Sequence, residues 1–377
     1  MPSVAHVVVT NNFAGVERYV CHVANETARR GWTVYVVGGD RRHMRALLAP
    51  EIDWLPGGSL GRALVSTLRL GRVSICHVHM TAAEAAGVIA RSITRSPVLA
   101  TRHFAARRGA SRGGAALAPL IRSSLAAQIA VSRFVAAHAD GRVDAVLPPG
   151  LPASPRLWVE TSRVVLVMQR LEPEKNSELA LRAWRLSNLP AEGWRMRIVG
   201  SGSEQARLVA LLSKESIRSV KFAAWTSDVA GELANAGMLL ATAPADSFGL
   251  SVLEAMWAGV PAVASAAGGH LETVGLVPGA ALFPARDADA AAATLRRLAD
   301  DRLRAQLSAA GREIARSRFS IERHVDGLLA QYDRVRSRTS PGGDGGVWRD
   351  DAQTRGCRPN PNLAAAGKGS HRWRPGG

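Results

Sequence analysis

The chain is short of cysteine, aromatic residues and long apolar runs, and each shortage excludes something. Its three cysteines, Cys21, Cys76 and Cys357, stand far apart with no CxxC or zinc-type spacing. Neither a disulfide framework nor structural zinc is expected, and a reducing compartment fits. Aromatic residues make up 5% of the chain, and no basic–aromatic stripe or known nucleic-acid module is present, so no nucleic-acid partner is expected in spite of a net charge of +17. No stretch approaches the ~18 to 20 apolar residues of a spanning helix. The first ten residues lack a basic leader and a small-residue cleavage site and read as a strand, so no secretory signal is expected and a cytoplasmic location follows. With 47% hydrophobic and 21% charged residues, wholesale disorder is excluded.

Charge is unevenly placed. Residues 1–155 carry 18 Arg, no Lys and 8 acids, a net +10, whereas residues 156–337 carry a net +3 and the segment from Arg338 a net +4. The electropositive first half attracts anions, among them phosphorylated ligands and an anionic membrane surface. Arg102, Arg107, Arg108 and Arg112 concentrate this charge; a solvated basic loop is the plain reading, and contact by Arg107 and Arg108 with a phosphate-bearing acceptor or lipid headgroup the sharper one.

Short apolar runs alternate with stretches of helical periodicity. Strands are predicted at Val4–Thr10, Thr33–Gly38, Ile75–His79, Val98–His103, Gln128–Val131 and Ala145–Leu147, with helices such as Val16–Arg30 and Ala82–Ile93 between them. The Pro- and Gly-rich segment Leu147–Pro155 reads as a boundary. Alternation restarts with strands at Val164–Met168, Arg195–Val199, Val220–Phe222, Met238–Thr242 and Ala262–Ser265. Helices are predicted at Ser177–Leu186, Ser203–Lys214, Leu250–Ala258 and Ala288–Leu298. This is an α/β chain with two parallel-sheet units, residues 1–150 and 160–320, and ligands bind outside the carboxyl ends of such strands. Residues 338–377, rich in Gly and Pro, read as a disordered tail.

The densest motif is Ala245–Gly269, ADSFGLSVLEAMWAGVPAVASAAGG. A strand is followed by Asp246-Ser247-Phe248-Gly249 and then by a helix that Gly259-Val260-Pro261 ends. Backbone amides at Gly249–Ser251 open that helix and suit a diphosphate. Asp246 and Glu254 bracket the turn and suit sugar hydroxyls; helix-end decoration, with Asp246 as an N-cap, is the alternative. Arg170 and Lys175 follow the strand Val164–Met168 and are placed to clamp a diphosphate; a solvated charge pair is the alternative. Gly200 and Gly202 open a helix after Arg195–Val199, either beside a ligand or as a plain tight turn. In the loop Asn11–Arg18, Gly15 permits close backbone approach and Glu17 reads as a favourable first-turn acid. His77, His79 and His103 lie at strand ends, His77 read as a core residue, and Ser132 is either an N-cap or a ligand contact. Asp287-Ala-Asp289 spells DxD but reads as a capped helix start, and no metal site is expected.

The 245–269 block resembles the E-x7-E region of retaining glycosyltransferases of the GT-B fold, family 4, here as D-x7-E. Arg170–Asn176 resembles that family's GRxxxxKG, with Gln169 and Asn176 where Gly is usual, and FSIERHVDGLLAQYDRV resembles its terminal helix. The resemblance runs from the N-terminus to about Val335. It implies two Rossmann-like domains facing a central cleft, an acceptor-binding first domain, a nucleotide-sugar-binding second domain, and a crossing helix over 321–337. It implies transfer of a hexose-type sugar from a nucleotide diphosphate sugar to a hydroxyl of a glycan, lipid-linked or small-molecule acceptor, with retention, no metal and no cofactor besides the co-substrate. Through it, His103, Arg170, Lys175 and Asp246 take catalytic roles. Gly15, Gly200, Gly202, Phe248, Gly249, Leu250 and Glu254 take donor-binding ones, with Glu254 on the ribose; His79, Arg107 and Arg108 are the acceptor candidates. A location at the inner membrane face is compatible. The alternatives are a sugar-nucleotide epimerase of the same fold and a non-catalytic anion- or nucleic-acid-binding protein; a glycogen-type phosphorylase needs a lysine-bound pyridoxal phosphate and a longer chain.

Overall fold

Two parallel sheets organise the chain. The computed structural model describes residues 1–106, 108, 118–214 and 218–339. In chain order the first lobe contains β1 (Ser3–Val8), α1 (Gly15–Arg29), β2 (Thr33–Val37), α2 (Arg41–Leu47), β3 (Asp53–Leu55), α3 (Leu60–Arg69) and β4 (Ile75–His79). It continues with α4 (Thr81–Thr94), β5 (Val98–Arg102), α5 (Ala118–Ser124), β6 (Ala127–Ala130), α6 (Arg133–His138) and β7 (Ala145–Val146). The second lobe contains β8 (Val164–Met168), α7 (Ser177–Leu186), β9 (Arg195–Val199), α8 (Gln205–Lys214), β10 (Val220–Ala223) and α9 (Val229–Ala234). Then follow β11 (Met238–Ala241), α10 (Leu250–Ala258), β12 (Ala262–Ser265), β13 (Ala281–Phe283), α11 (Ala288–Leu298), α12 (Asp301–Arg318) and α13 (Ile321–Thr339).

The strand orders are β3-β2-β1-β4-β5-β6-β7 and β10-β9-β8-β11-β12-β13, with every pairing parallel. Runs such as Val4–Val8 and Val165–Val167 are buried on both faces, as a sheet covered on each side by helices requires. Strand order reverses between β1 and β4 and again between β8 and β11. The loops after these strands therefore open at the two switch points, where ligands of doubly wound sheets bind.

The carboxyl ends of the two sheets face each other. A Cβ built on Gly15 would lie 3.2 Å from Leu250 Cδ1. The Ser132 hydroxyl donates to the Ser247 carbonyl at 2.6 Å. The amides of Arg133 and Phe134, at the start of α6, donate to the Glu272 carboxylate at 2.8 Å each. Helix α13 returns to the first lobe, where Ile321, Val325, Leu328 and Tyr332 join a core with Val4, Tyr19 and Ile75. It runs two residues past the expected end at 337, to Thr339. Residues 340–377, expected as part of a tail, lie outside the described residues.

Strands β3 and β13, three residues each, were not expected, because three residues carry too little alternation to read. Helix α10 starts and stops where the sequence places it, the stop being Gly259 at φ +83. Asn176, standing where a glycine is usual, holds φ +50; asparagine is one of the few side chains that tolerates this left-handed backbone. Asp287 caps α11 by accepting from the Ala290 amide at 2.9 Å, so the DxD string is a helix start.

Candidate active site

The loop after β11 is built around Asp246. One carboxylate oxygen accepts from the amides of Gly249 at 3.0 Å and Phe248 at 3.3 Å, fixing the turn into α10. The other meets Lys175 Nζ at 2.5 Å, and His270 Nε2 lies 4.0 Å away. Burial pushes this carboxyl up, but Lys175 first and His270 next draw it back below the usual range, to about 2. Asp246 thus folds the loop before α10 and is an ionised group beside a cation; it is not the N-cap, a place that Gly249 takes without a side-chain bond. His270, one residue beyond the motif read in the sequence, is held by the Ser265 hydroxyl at 3.0 Å, and burial lowers it.

Glycines let the backbones come this close. Gly249 holds φ +84, and a Cβ there would sit 2.8 Å from His270 Cδ2. The Phe248 side chain is buried edge-on against Phe319, so only its backbone is offered to the turn. The amides of Leu250 and Ser251 are the first two of α10 and have no carbonyl to meet within the helix. Next to the cluster, Gln169 Nε2 donates to the Lys175 carbonyl at 3.1 Å and to Ser177 Oγ at 2.9 Å, tying the Lys175 loop to β8.

Glu254 lies one turn into α10, on the wall of a cleft of about 390 Å³ lined also by Phe13, Arg18, His22, His43 and Trp257. Its carboxylate accepts from Arg18 Nη1 of α1 at 3.0 Å. Burial raises its pKa, and Arg18 opposes the rise. Arg18 belongs to a loop motif read in the sequence but was given no role there. Glu17, its neighbour, caps α1 by accepting from the Ala14 amide at 2.8 Å.

The remaining candidates divide. Arg170 is half exposed and paired with Glu174 at 2.6 Å; it is not joined to the Lys175–Asp246 cluster. Gly200 stands at φ +152, and a Cβ on it would lie 2.0 Å from the Gln169 carbonyl oxygen; Gly202 would meet Leu171 O at 2.3 Å. Their lack of a side chain is required by the 169–171 backbone itself. His103, just after β5, is nearly buried and its Nε2 meets His79 Nδ1 at 3.0 Å. His79 is fully buried, so the direct acceptor contact expected of it is replaced by a contact with His103. Arg108 is likewise internal: its guanidinium binds Glu84, Asp140 and Gln128, which compensates the buried Glu84 charge. An acceptor contact by Arg108 is not what the fold provides. Arg107 lies outside the described residues. His77 is a core residue, bonded to the hydroxyls of Tyr332 and Thr101 at 2.7 Å each. Ser132 is an N-cap that also reaches across the cleft.

Two Rossmann-like lobes whose strand ends meet across a cleft, with a cation–carboxylate turn on one lobe, have the GT-B architecture. The family described as "Glycosyl transferases group 1" matches residues 154–314, and "Glycosyltransferase Family 4" matches residues 13–154. The chain belongs to the GT-B glycosyltransferases of this group 1/family 4 superfamily. It is 31% identical over 173 residues to the lipopolysaccharide core biosynthesis glycosyltransferase LpsD of Rhizobium meliloti, covering 45% of this chain and 49% of that protein. It is 33% identical over 225 residues to D-inositol 3-phosphate glycosyltransferase of Mycobacterium bovis, covering 56% of this chain and 44% of that protein. The chain thus spans about half or less of the length of these relatives. Anabaena Alr3699/HepE, solved in complex with UDP-glucose, superposes with a TM-score of 0.74 at 19% identity over 88% of this chain and all of that one; this likeness is one of fold. No described helix is long and apolar enough to cross a membrane.

Proposed function

We propose that the chain is a retaining glycosyltransferase that moves a sugar from a nucleoside diphosphate sugar to a hydroxyl of a glycan, lipid-linked or small-molecule acceptor. The observation that carries this is the pair of carboxylates around α10, Asp246 against Lys175 at 2.5 Å and Glu254 on the cleft wall. The ribose hydroxyls fit Glu254, which exchanges Arg18 for them. The diphosphate fits the opening amides of α10 and Lys175, which stabilise negative charge as the bond to the sugar ionises. Arg170 joins them by exchanging Glu174 for phosphate. Asp246 and His103 take the sugar hydroxyls. The acceptor hydroxyl attacks from the face the diphosphate leaves, and its proton goes to the departing phosphate. Closure of the lobes excludes water.

The first-lobe surface supports an acceptor presented at the inner face of an anionic membrane. Ile93 on α4 is 70% exposed and Leu120 on the adjoining α5 is 61% exposed, beside exposed Arg91, Arg95 and Arg122. Apolar and basic side chains together suit anionic lipid.

A thermal-shift panel of nucleoside diphosphates and their sugars tests the transferase reading, since a ligand that binds only the folded state raises its apparent stability. One nucleotide series is expected to shift the protein and to fail on Glu254→Ala. A protein that responds to none of them, with Glu254→Ala indistinguishable from it, overturns the reading. Sedimentation with phosphatidylglycerol vesicles, against neutral ones, tests the membrane surface.

A further inference from the structure

Behind His103 stands a file of imidazoles. His6 on β1 lies opposite His77 on β4 in the parallel register, and His79 is two residues further along the same face. His6 Nδ1 meets His79 Nε2 at 3.2 Å, and His79 Nδ1 meets His103 Nε2 at 3.0 Å. The file therefore runs from the interior of the first lobe to the carboxyl end of β5. Its inner end, His6 Nε2, is buried and has no hydrogen-bond partner. The nearby His77 cannot supply one, because both its nitrogens are held, by Tyr332 and Thr101. Its outer end, His103 Nδ1, makes no hydrogen bond among the described residues. Burial keeps His6, His79 and His103 neutral, so each ring carries one N–H.

Two proton arrangements satisfy the file. In one, every ring is protonated on Nδ1, and the inner end is a bare lone pair. In the other, every ring is protonated on Nε2, and the inner end is an N–H with nothing to donate to. A buried donor without a partner is the rarer and costlier fault. We propose that His6 and His79 form a directional hydrogen-bond relay that locks His103 as the Nδ1–H tautomer, so that it meets its ligand as a hydrogen-bond donor and not as a base. His6 and His79 are positioning residues; they act through His103. The consequence for catalysis rests on the reading that His103 meets the donor sugar; the tautomer itself does not. His6, His77 and His79 also bring ring nitrogens within 4.8 Å of one another, but those on His77 and His79 are already engaged in hydrogen bonds, which favours the relay over a metal ion.

The test is a two-bond proton–nitrogen correlation spectrum of isotope-labelled histidine, which separates the two tautomers directly. The full chain has ten histidines, and the His103 pattern is assigned by its loss in His103→Gln. The expected result is the Nδ1–H pattern for His103, the reverse of what free imidazole favours in water. His6→Asn keeps an amide donor where Nδ1 stood and is expected to preserve that pattern. His6→Leu removes the donor and is expected to populate the Nε2–H form, with kcat falling about fivefold to tenfold, the size of one neutral hydrogen bond, and the donor KM little changed. An Nε2–H pattern for His103 in the unmutated protein overturns the proposal, as does stoichiometric zinc by elemental analysis, and both readouts stand even should His6→Leu fail to fold. A locked Nδ1–H pattern whose loss in His6→Leu leaves kcat untouched supports the relay and instead removes His103 from the proposed donor-sugar contact.

Discussion

Arg18 of the first lobe and Glu254 of the second form an ion pair at 3.0 Å across the cleft, with side chains only 16% and 18% exposed. The bond occupies the carboxylate that the proposed function assigns to the ribose, so under that proposal donor binding and this inter-lobe tie compete for one group. It also sets that group's charge. Burial raises the Glu254 pKa and Arg18 is the attraction that opposes it, so removing the arginine leaves burial unopposed.

Arg18→Leu is accordingly expected to make nucleotide binding pH-dependent. The carboxyl is raised, so its anionic, hydroxyl-accepting form is lost as pH falls, and without Arg18 that loss begins nearer neutrality. Calorimetric titration with the nucleoside diphosphate that the thermal-shift panel selects, between about pH 8 and about pH 6, is expected to show a drop in affinity for the variant and a flatter profile for the unmutated protein. Superimposable profiles would show that Arg18 does not govern Glu254.

The exposed Arg170–Glu174 pair gives a second, smaller expectation. Exposed pairs contribute about 0 to 1 kcal/mol, so freeing the guanidinium by Glu174→Gln is expected to tighten diphosphate binding by at most about fivefold. Arg170→Ala is expected to weaken it. Equal diphosphate dissociation constants for Arg170→Ala and the unmutated protein would remove Arg170 from the phosphate clamp and leave Lys175 alone in it.

Lys175 is expected to matter more, because it neutralises Asp246 and faces the opening of α10. Under the proposed function Lys175→Met removes a fixed charge from the place assigned to the leaving diphosphate, and kcat is expected to fall on the order of 100-fold. It also strands the Asp246 carboxylate, whose pKa of about 2 depends on Lys175 as its largest opposing influence. The variant is therefore expected to lower Tm as well, and Lys175→Met/Asp246→Asn to recover Tm but not kcat. Unchanged kcat in Lys175→Met would place the diphosphate elsewhere.

How far the sequence reaches is visible in these residues. Asp246, Glu254 and Lys175 were legible because each lies within a few positions of a strand end or a helix start, and such local signals survive in one dimension. The boundaries of α10 and β8 were legible for the same reason: glycines, proline and uninterrupted apolar runs mark them. Arg18 and Glu272 gained no role, because their partners are 236 and 138 or 139 positions away. The file His6–His79–His103 was hidden differently. Its members stand one each on β1, on β4 and just after β5, and that β1 and β4 are neighbours, with β2 on the far side of β1, is a fact of topology. Arg108 was misplaced by the same limit: a basic run looks solvated until the buried Glu84 that it compensates is located.

Five buried histidines, His6, His77, His79, His103 and His324, also shape how the protein responds to acid. Burial drives His6 and His103 down to about 3 and His324 to about 4, and His77 and His79 well below their ordinary range. Above the ordinary histidine pKa, about 6.5, folded and unfolded chains are both neutral at these positions, and the five contribute nothing to the pH dependence. Below it the unfolded chain binds protons that the folded chain refuses, so stability falls as pH falls, by up to about 1.4 kcal/mol per unit for each group. Five such groups together approach about 7 kcal/mol per unit, the size of a typical domain's whole stability of ~5–15 kcal/mol. Urea titrations across this range are expected to show stability level above about pH 7 and falling steeply toward unfolding near pH 5. Asp246 adds nothing there, since its stabilisation persists until pH falls through its ordinary value toward about 2. His6→Asn is expected to lessen the slope by one proton. Stability that stays level down to about pH 4 would mean that the first-lobe interior accepts charge, and the neutral file of imidazoles would not exist.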